Sequence, residues 1–190
     1  TAVSGENPSR IITFKSSSNN PRRCILKYAS SSSSSNDWVF NFDGVDYVTF
    51  QGIGFERTGT AQYSTVVQIG NDANQLLFNN CLFKGKKVPS NSTNGFAYPT
   101  GSCLYFYGNA DSTEISNSKI IYGYNGIYFA TTATNNYYYG NVFDTCGSSG
   151  IYTTGQSNLR IIGNTFNMGD FGANLGHYTS YGLRIESSPS

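Results

Sequence analysis

Three tyrosines, Tyr105, Tyr128 and Tyr152, each sit in the middle of a short strand-like triplet: Leu104-Tyr-Phe106, Ile127-Tyr-Phe129 and Ile151-Tyr-Thr153. Gln68 holds that place in Val67-Gln-Ile69, Asn41 in Phe40-Asn-Phe42 and Arg184 in Leu183-Arg-Ile185. A tyrosine combines an apolar ring with a hydroxyl, the two features a sugar ring engages. Three in a row would hold an extended glycan. The competing expectation is cross-strand stacking of good strand formers. Acid–base chemistry would need carboxylates or a base converging on one bond. The residues available are Asp144, Asp170, His177 and Arg184, and their spacing specifies no certain geometry. Arg160 and Arg184 are expected on different faces.

Metal chemistry has little to draw on. Cys24, Cys81, Cys103 and Cys146 match no zinc spacing, and His177 is the one histidine. Four cysteines allow two disulfides or four buried thiols, and the spacing leaves both open. Among carboxylates, Asp72 and Asp111 fall in equivalent turns and would stack there as a weak Ca²⁺ site; turn-forming aspartates are the simpler account. No cofactor is otherwise expected. Charged residues are 12% of the 190, with a net charge of +1. That excludes the basic footprint of a nucleic-acid binder. No apolar run is long enough for a membrane-spanning helix. Ser (25), Asn (21), Gly (21) and Tyr (15) take the place of charge, a composition suited to uncharged polar partners.

These residues are positioned by a repeat. The phrase Val48-Thr-Phe-Gln-Gly-Ile-Gly-Phe55 returns as Leu76–Phe83, Thr113–Ile120, Asn136–Phe143 and Leu159–Phe166. Its last residue recurs at spacings of 28, 37, 23 and 23, as in a solenoid with insertions. The triplets precede the phrases and alternate with period two, so both are strands. Stacking each strand on its equivalent one coil away makes a parallel β-helix. Phe50, Phe78, Ile115, Tyr138 and Ile161 then form one inward column, and Phe55, Phe83, Ile120, Phe143 and Phe166 a second. Gly52, Asn80, Asn117, Gly140 and Gly163 form a corner column, suited to a left-handed backbone. Next to it run Ile53, Cys81, Ser118, Asn141 and Asn164, where side chains would hydrogen-bond from coil to coil.

Residues 1–36 are expected as a looser N-terminal coil with a Ser-rich loop, and 37–190 as the regular coils. Leu183-Arg-Ile185 begins a further coil, so the coils are expected to continue in a larger chain or to be capped by another segment. Glu56–Thr65, Lys84–Ser102 and Asn167–Tyr181 are long insertions leaving one corner of the coil. They would border the tyrosine row with a groove carrying Lys84, Lys86, Lys87, Tyr98, Asp170, His177 and Tyr178.

The phrase, with Gly-Ile-Tyr at 126–128 and 150–152, resembles the right-handed parallel β-helix repeat of the pectate-lyase-like superfamily. Asp43-Gly-Val-Asp-Tyr-Val-Thr-Phe-Gln-Gly-Ile-Gly-Phe55 is similar to β-helix modules of large secreted or surface proteins of Bacteroidetes-like bacteria. The resemblance covers most of residues 9–186 and implies an all-β, single-stranded solenoid of about five coils plus the looser one. The fold hosts several activities. The leading expectation is a noncatalytic module of a larger secreted or cell-surface protein that serves adhesion or binds polysaccharide or a cell-surface glycan, through Tyr105, Tyr128, Tyr152, Gln68, Arg184, Tyr98 and Tyr178. The alternatives are a polysaccharide lyase or glycoside hydrolase fragment using Asp144, Asp170, His177 and Arg184, and a passive stalk.

Overall fold

The computed structural model describes residues 9, 11–33, 37–61, 63–87, 101–168 and 180–186. Nearly all described strands lie in three six-stranded parallel sheets. The first sheet stacks β1 (Ile12–Lys15), β4 (Val48–Gln51), β7 (Leu77–Asn79), β10 (Glu114–Ser116), β14 (Tyr137–Tyr139) and β18 (Arg160–Ile162). The second stacks β2 (Ile25–Ala29), β5 (Gly54–Thr58), β8 (Leu82–Lys84), β11 (Lys119–Ile121), β15 (Val142–Asp144) and β19 (Thr165–Asn167). The third stacks β3 (Phe40–Asp43), β6 (Val67–Gly70), β9 (Leu104–Phe106), β12 (Asn125–Phe129), β16 (Ser149–Thr154) and β20 (Tyr181–Glu186). A short pair, β13 (Ala133–Thr134) and β17 (Gln156–Ser157), lines one turn. The chain is a parallel β-helix with one strand of each sheet per coil.

The repeat phrase is therefore two strands around a corner. Phe50 pairs with Phe78, Phe78 with Ile115, Ile115 with Tyr138, and Tyr138 with Ile161. Phe55, Phe83, Ile120, Phe143 and Phe166 pair in the same way in the second sheet. Their rings stack along the axis, as in Phe50–Phe78 at 5.7 Å and Phe55–Phe83 at 5.4 Å between centroids. Each such buried ring contributes roughly 1.5–3 kcal/mol of transfer free energy.

The corner is set by backbone conformation. Gly52, Asn80, Asn117, Gly140 and Gly163 all have φ between 50° and 65°, the region where glycine and asparagine cost least. Behind it runs the expected ladder. Asn141 N–H donates to Asn164 Oδ1 (2.9 Å), Ser118 N–H to Asn141 Oδ1 (2.9 Å), and Cys81 N–H to Ser118 Oγ (2.9 Å). Asn141 and Asn164 return Nδ2 bonds to Ile115 O and Tyr138 O, both 2.8 Å. Each side chain satisfies a buried backbone group that the turn removes from sheet pairing.

A third requirement explains Gly-Ile-Tyr. A Cβ on Gly126 would lie 2.7 Å from Phe143 Cδ1 and 2.5 Å from Gly150 O. One on Gly150 would lie 2.5 Å from Phe166 Cδ1. The third sheet needs glycine there because the phenylalanines of the second sheet fill that space. The N-terminal strands β1 and β2 are full sheet members, paired with β4 and β5 over four and five residues.

Candidate functional site

On the outer face of the third sheet the expected row forms in register. Asn41 pairs with Gln68, Gln68 with Tyr105, Tyr105 with Tyr128, Tyr128 with Tyr152, and Tyr152 with Arg184. Parallel strands repeat at about 4.8 Å, which brings the rings onto one another. Tyr128 and Tyr152 stack at 4.9 Å and 11°, and Tyr105 meets Tyr128 at 5.8 Å and 45°. The Arg184 guanidinium lies 5.3 Å from the Tyr152 centroid, a cation–π contact. Tyr152 Oη donates to Glu186 Oε2 at 2.6 Å, and Arg184 Nε to Glu186 Oε1 at 2.8 Å. Both bonds hold the Glu186 carboxyl below its ordinary range.

The row is not the open face that its alternation suggests. Tyr128 and Tyr152 keep only 7% and 6% of their surface. Tyr105 and Gln68 are half-buried. Period two tells which side of a sheet a residue takes, not what lies over that side.

Beside Tyr105 is a buried polar cluster that the sequence did not signal. Asp37 accepts from Thr65 Oγ1 at 3.3 Å, and Arg57 donates through Nη2 to Tyr63 O at 3.3 Å. Asp37 and Arg57 are 2% and 3% exposed. Burial raises the Asp37 carboxyl from 3.8 to about 6, against the opposing pull of Thr65 and Arg57. Burial also raises the Tyr105 hydroxyl, and Asp37 adds to it. Gln68 Oε1 and Asn41 Oδ1 are buried without a donor.

Of the candidates for acid–base work, the two among the described residues, Asp144 and Arg184, do not converge. Asp144 stands on the second sheet in an ion pair with Lys119 at 2.8 Å. Arg184 stands on the third, occupied by Glu186 and Tyr152. Asp170, His177, Tyr98 and Tyr178 lie outside the described residues. Lys84 pairs with Glu56 (2.6 Å), which Lys27 also reaches (3.0 Å). Burial opposes ionisation of Glu56, but the two lysines outweigh it and hold its carboxyl below the ordinary range. Lys86 Nζ donates to Thr60 O and Ala61 O at 2.6 and 2.9 Å.

The expected stack of Asp72 on Asp111 is replaced by a different register. Asp111 N–H donates to Asn74 Oδ1 (2.7 Å), and Thr134 N–H to Asp111 Oδ1 (2.6 Å). Asp72 N–H instead donates to Asn109 O. Among the described residues no three of His, Cys, Asp or Glu gather as a metal site. The four cysteines are free thiols, three of them buried. Burial pushes Cys81 to about 11 and Cys103 to about 12, which suits packing rather than nucleophilic chemistry.

A further half-buried aromatic pair lies on the first sheet. Tyr137 and Tyr139 flank the inward Tyr138 and point outward from β14, both half-buried, with centroids 4.7 Å apart. In register with Tyr137 are Glu114 and Arg160; with Tyr139, Ser116 and the 53%-exposed Ile162. Asn79 Nδ2 bonds Ser116 Oγ at 2.8 Å on the same face. The signal was present in Asn136-Tyr-Tyr-Tyr-Gly140, because an inward Tyr138 places its two neighbours outward. Compared with protein-family models, with curated proteins and with solved structures, the chain matches none.

Proposed function

We propose that this chain is a noncatalytic β-helix module that binds polysaccharide through outward tyrosines. The reading places it outside the cell or on its surface, in the manner of the pectate-lyase-like β-helix modules of Bacteroidetes-like bacteria that its repeat resembles. The observation that carries it is the Tyr137–Tyr139 pair, half-buried on the outer side of a parallel sheet and bordered by Glu114 and Arg160. Two neighbouring rings offer apolar faces to consecutive sugars, and the flanking polar groups exchange hydrogen bonds with hydroxyls. The half-buried Tyr105, beside Gln68, extends the same chemistry on another face. The test is electrophoresis through native gels cast with neutral or anionic polysaccharides. Retardation by one class, lost in Tyr137→Ala/Tyr139→Ala, supports the reading. Retardation unchanged in that variant removes the site.

A passive structural role is the second reading. It is favoured by the Tyr128–Tyr152 stack, whose rings are spent on each other rather than on a ligand. It predicts no retardation by any polysaccharide.

A further inference from the structure

In the second sheet, β2 and β5 run two residues beyond the three-residue length of β8, β11, β15 and β19. The excess sets Arg57 in register with Tyr28. Arg57 stands two residues past the inward Phe55, so strand alternation turns it inward as well. A guanidinium keeps its charge and is a donor at every nitrogen. Arg57 is nonetheless only 3% exposed. Its guanidinium lies over the Tyr28 ring, 5.3 Å from the centroid, and Nη2 donates to Tyr63 O at 3.3 Å. Nε and Nη1 are buried without an acceptor.

The carboxylate that acts on this charge does not close on it. Asp37 influences Arg57 through its charge, yet the ion pairs of the described residues do not include it. Asp37 accepts instead from Thr65 Oγ1 at 3.3 Å. The consecutive residues Tyr63, Ser64 and Thr65 thus hold Arg57 at one end and Asp37 at the other. Between them Ser64 is wholly buried, and its Oγ has no partner. The unmatched groups here are donors: two guanidinium nitrogens and one hydroxyl. A buried charge left without compensation is strongly destabilising, and donors of this kind call for an acceptor that carries negative charge.

We propose that Arg57 and Ser64 form a buried site for one small monovalent anion of the chloride class, bound by the free guanidinium N–H groups and the Ser64 hydroxyl. The near-complete burial of Arg57, Ser64, Thr65 and Asp37 restricts the occupant to a monatomic ion. A phosphate or a sugar carboxylate would displace the 63–65 segment. Among the described residues, the titratable groups interacting with Asp37 are Arg57 and Tyr105, and those acting on Arg57 are Asp37 and Tyr28. Burial keeps Asp37 protonated up to about 6. Below that pH the anion is the counter-charge of Arg57. Above it the Asp37 carboxylate competes for that role, so anion and proton bind together.

The test is melting temperature against chloride at about pH 5 and about pH 7.5, with ionic strength held by gluconate, an anion too large for the site. The expected result is a saturating rise of about 2–4 °C at the lower pH and a smaller one at the higher. Ser64→Ala should weaken the rise and Arg57→Met should abolish it. Asp37→Asn should show the full rise at both pH values. Crystals of the unaltered chain grown in bromide should give an anomalous peak beside Arg57, a readout that stands even where Arg57→Met fails to fold. No bromide beside Arg57 overturns the site. An equal rise with gluconate assigns the effect to screening and also overturns it. Equal rises at the two pH values in the unaltered chain overturn the competition with Asp37.

Discussion

Two groups of outward tyrosines, three on the third sheet and two on the first, are covered to different degrees. On the third sheet Tyr105, Tyr128 and Tyr152 come from three successive coils and lie ring upon ring, the last two almost wholly buried. On the first sheet Tyr137 and Tyr139 come from one strand and lie side by side, both half-buried. Repetition along the axis aligns rings at the strand spacing, so they saturate one another. Repetition within a strand puts two rings on one surface and leaves part of each for another molecule. An aromatic ladder in a solenoid is thus first a stabilising element, and an aromatic pair within one coil is the better recognition surface.

That comparison can be broken by mutation. The largest effect is expected at Tyr138, the fully buried neighbour of the exposed pair. Tyr138→Ala should cost about 3–5 kcal/mol in urea unfolding, and a cost below that of the outward tyrosines would refute the inward column. Next come Tyr128→Ala and Tyr152→Ala, about 2–3 kcal/mol each from lost burial and stacking. Polysaccharide retardation should persist in both variants; its loss would return the binding site to the third sheet.

Asp37, beside Tyr105, sharpens the contrast through pH. Its folded carboxyl titrates at about 6, above the ordinary 3.8, so the folded state holds the proton more tightly. Wild-type stability relative to Asp37→Asn should therefore decline as pH rises from about 4 to about 7. Melting temperatures of the two proteins across that range measure it, and a flat difference would deny the burial of a charge there. The smallest stability effect is expected for Tyr137→Ala/Tyr139→Ala, about 1 kcal/mol or less, with complete loss of retardation. A large loss of stability would make this pair structural as well.

The period of the phrase made the columns legible in advance. Phe50 to Ile161, Phe55 to Phe166 and the positive-φ corner all stand in the pairing that spacing implies. The Asn141–Asn164 bond was legible for the same reason, since equal spacing stacks equal side chains. Asp72 and Asp111 failed because they hold different places in turns of equal length: Asp111 lies as far past Phe106 as Asn74 lies past Ile69, so it meets Asn74, while Asp72 meets Asn109. Tyr128 and Tyr152 were placed on the correct face but with the wrong exposure.

By itself, then, the sequence determined the solenoid, its coil length, the inward columns and the residue types of the corner. These follow from strand alternation and a short repeat, which are local and periodic. Tertiary structure decided which tyrosines are covered, which aspartate is buried with Arg57, and that the thiols stay unpaired. Those depend on where chain segments distant in sequence come to lie, and no spacing along one chain encodes the space between them.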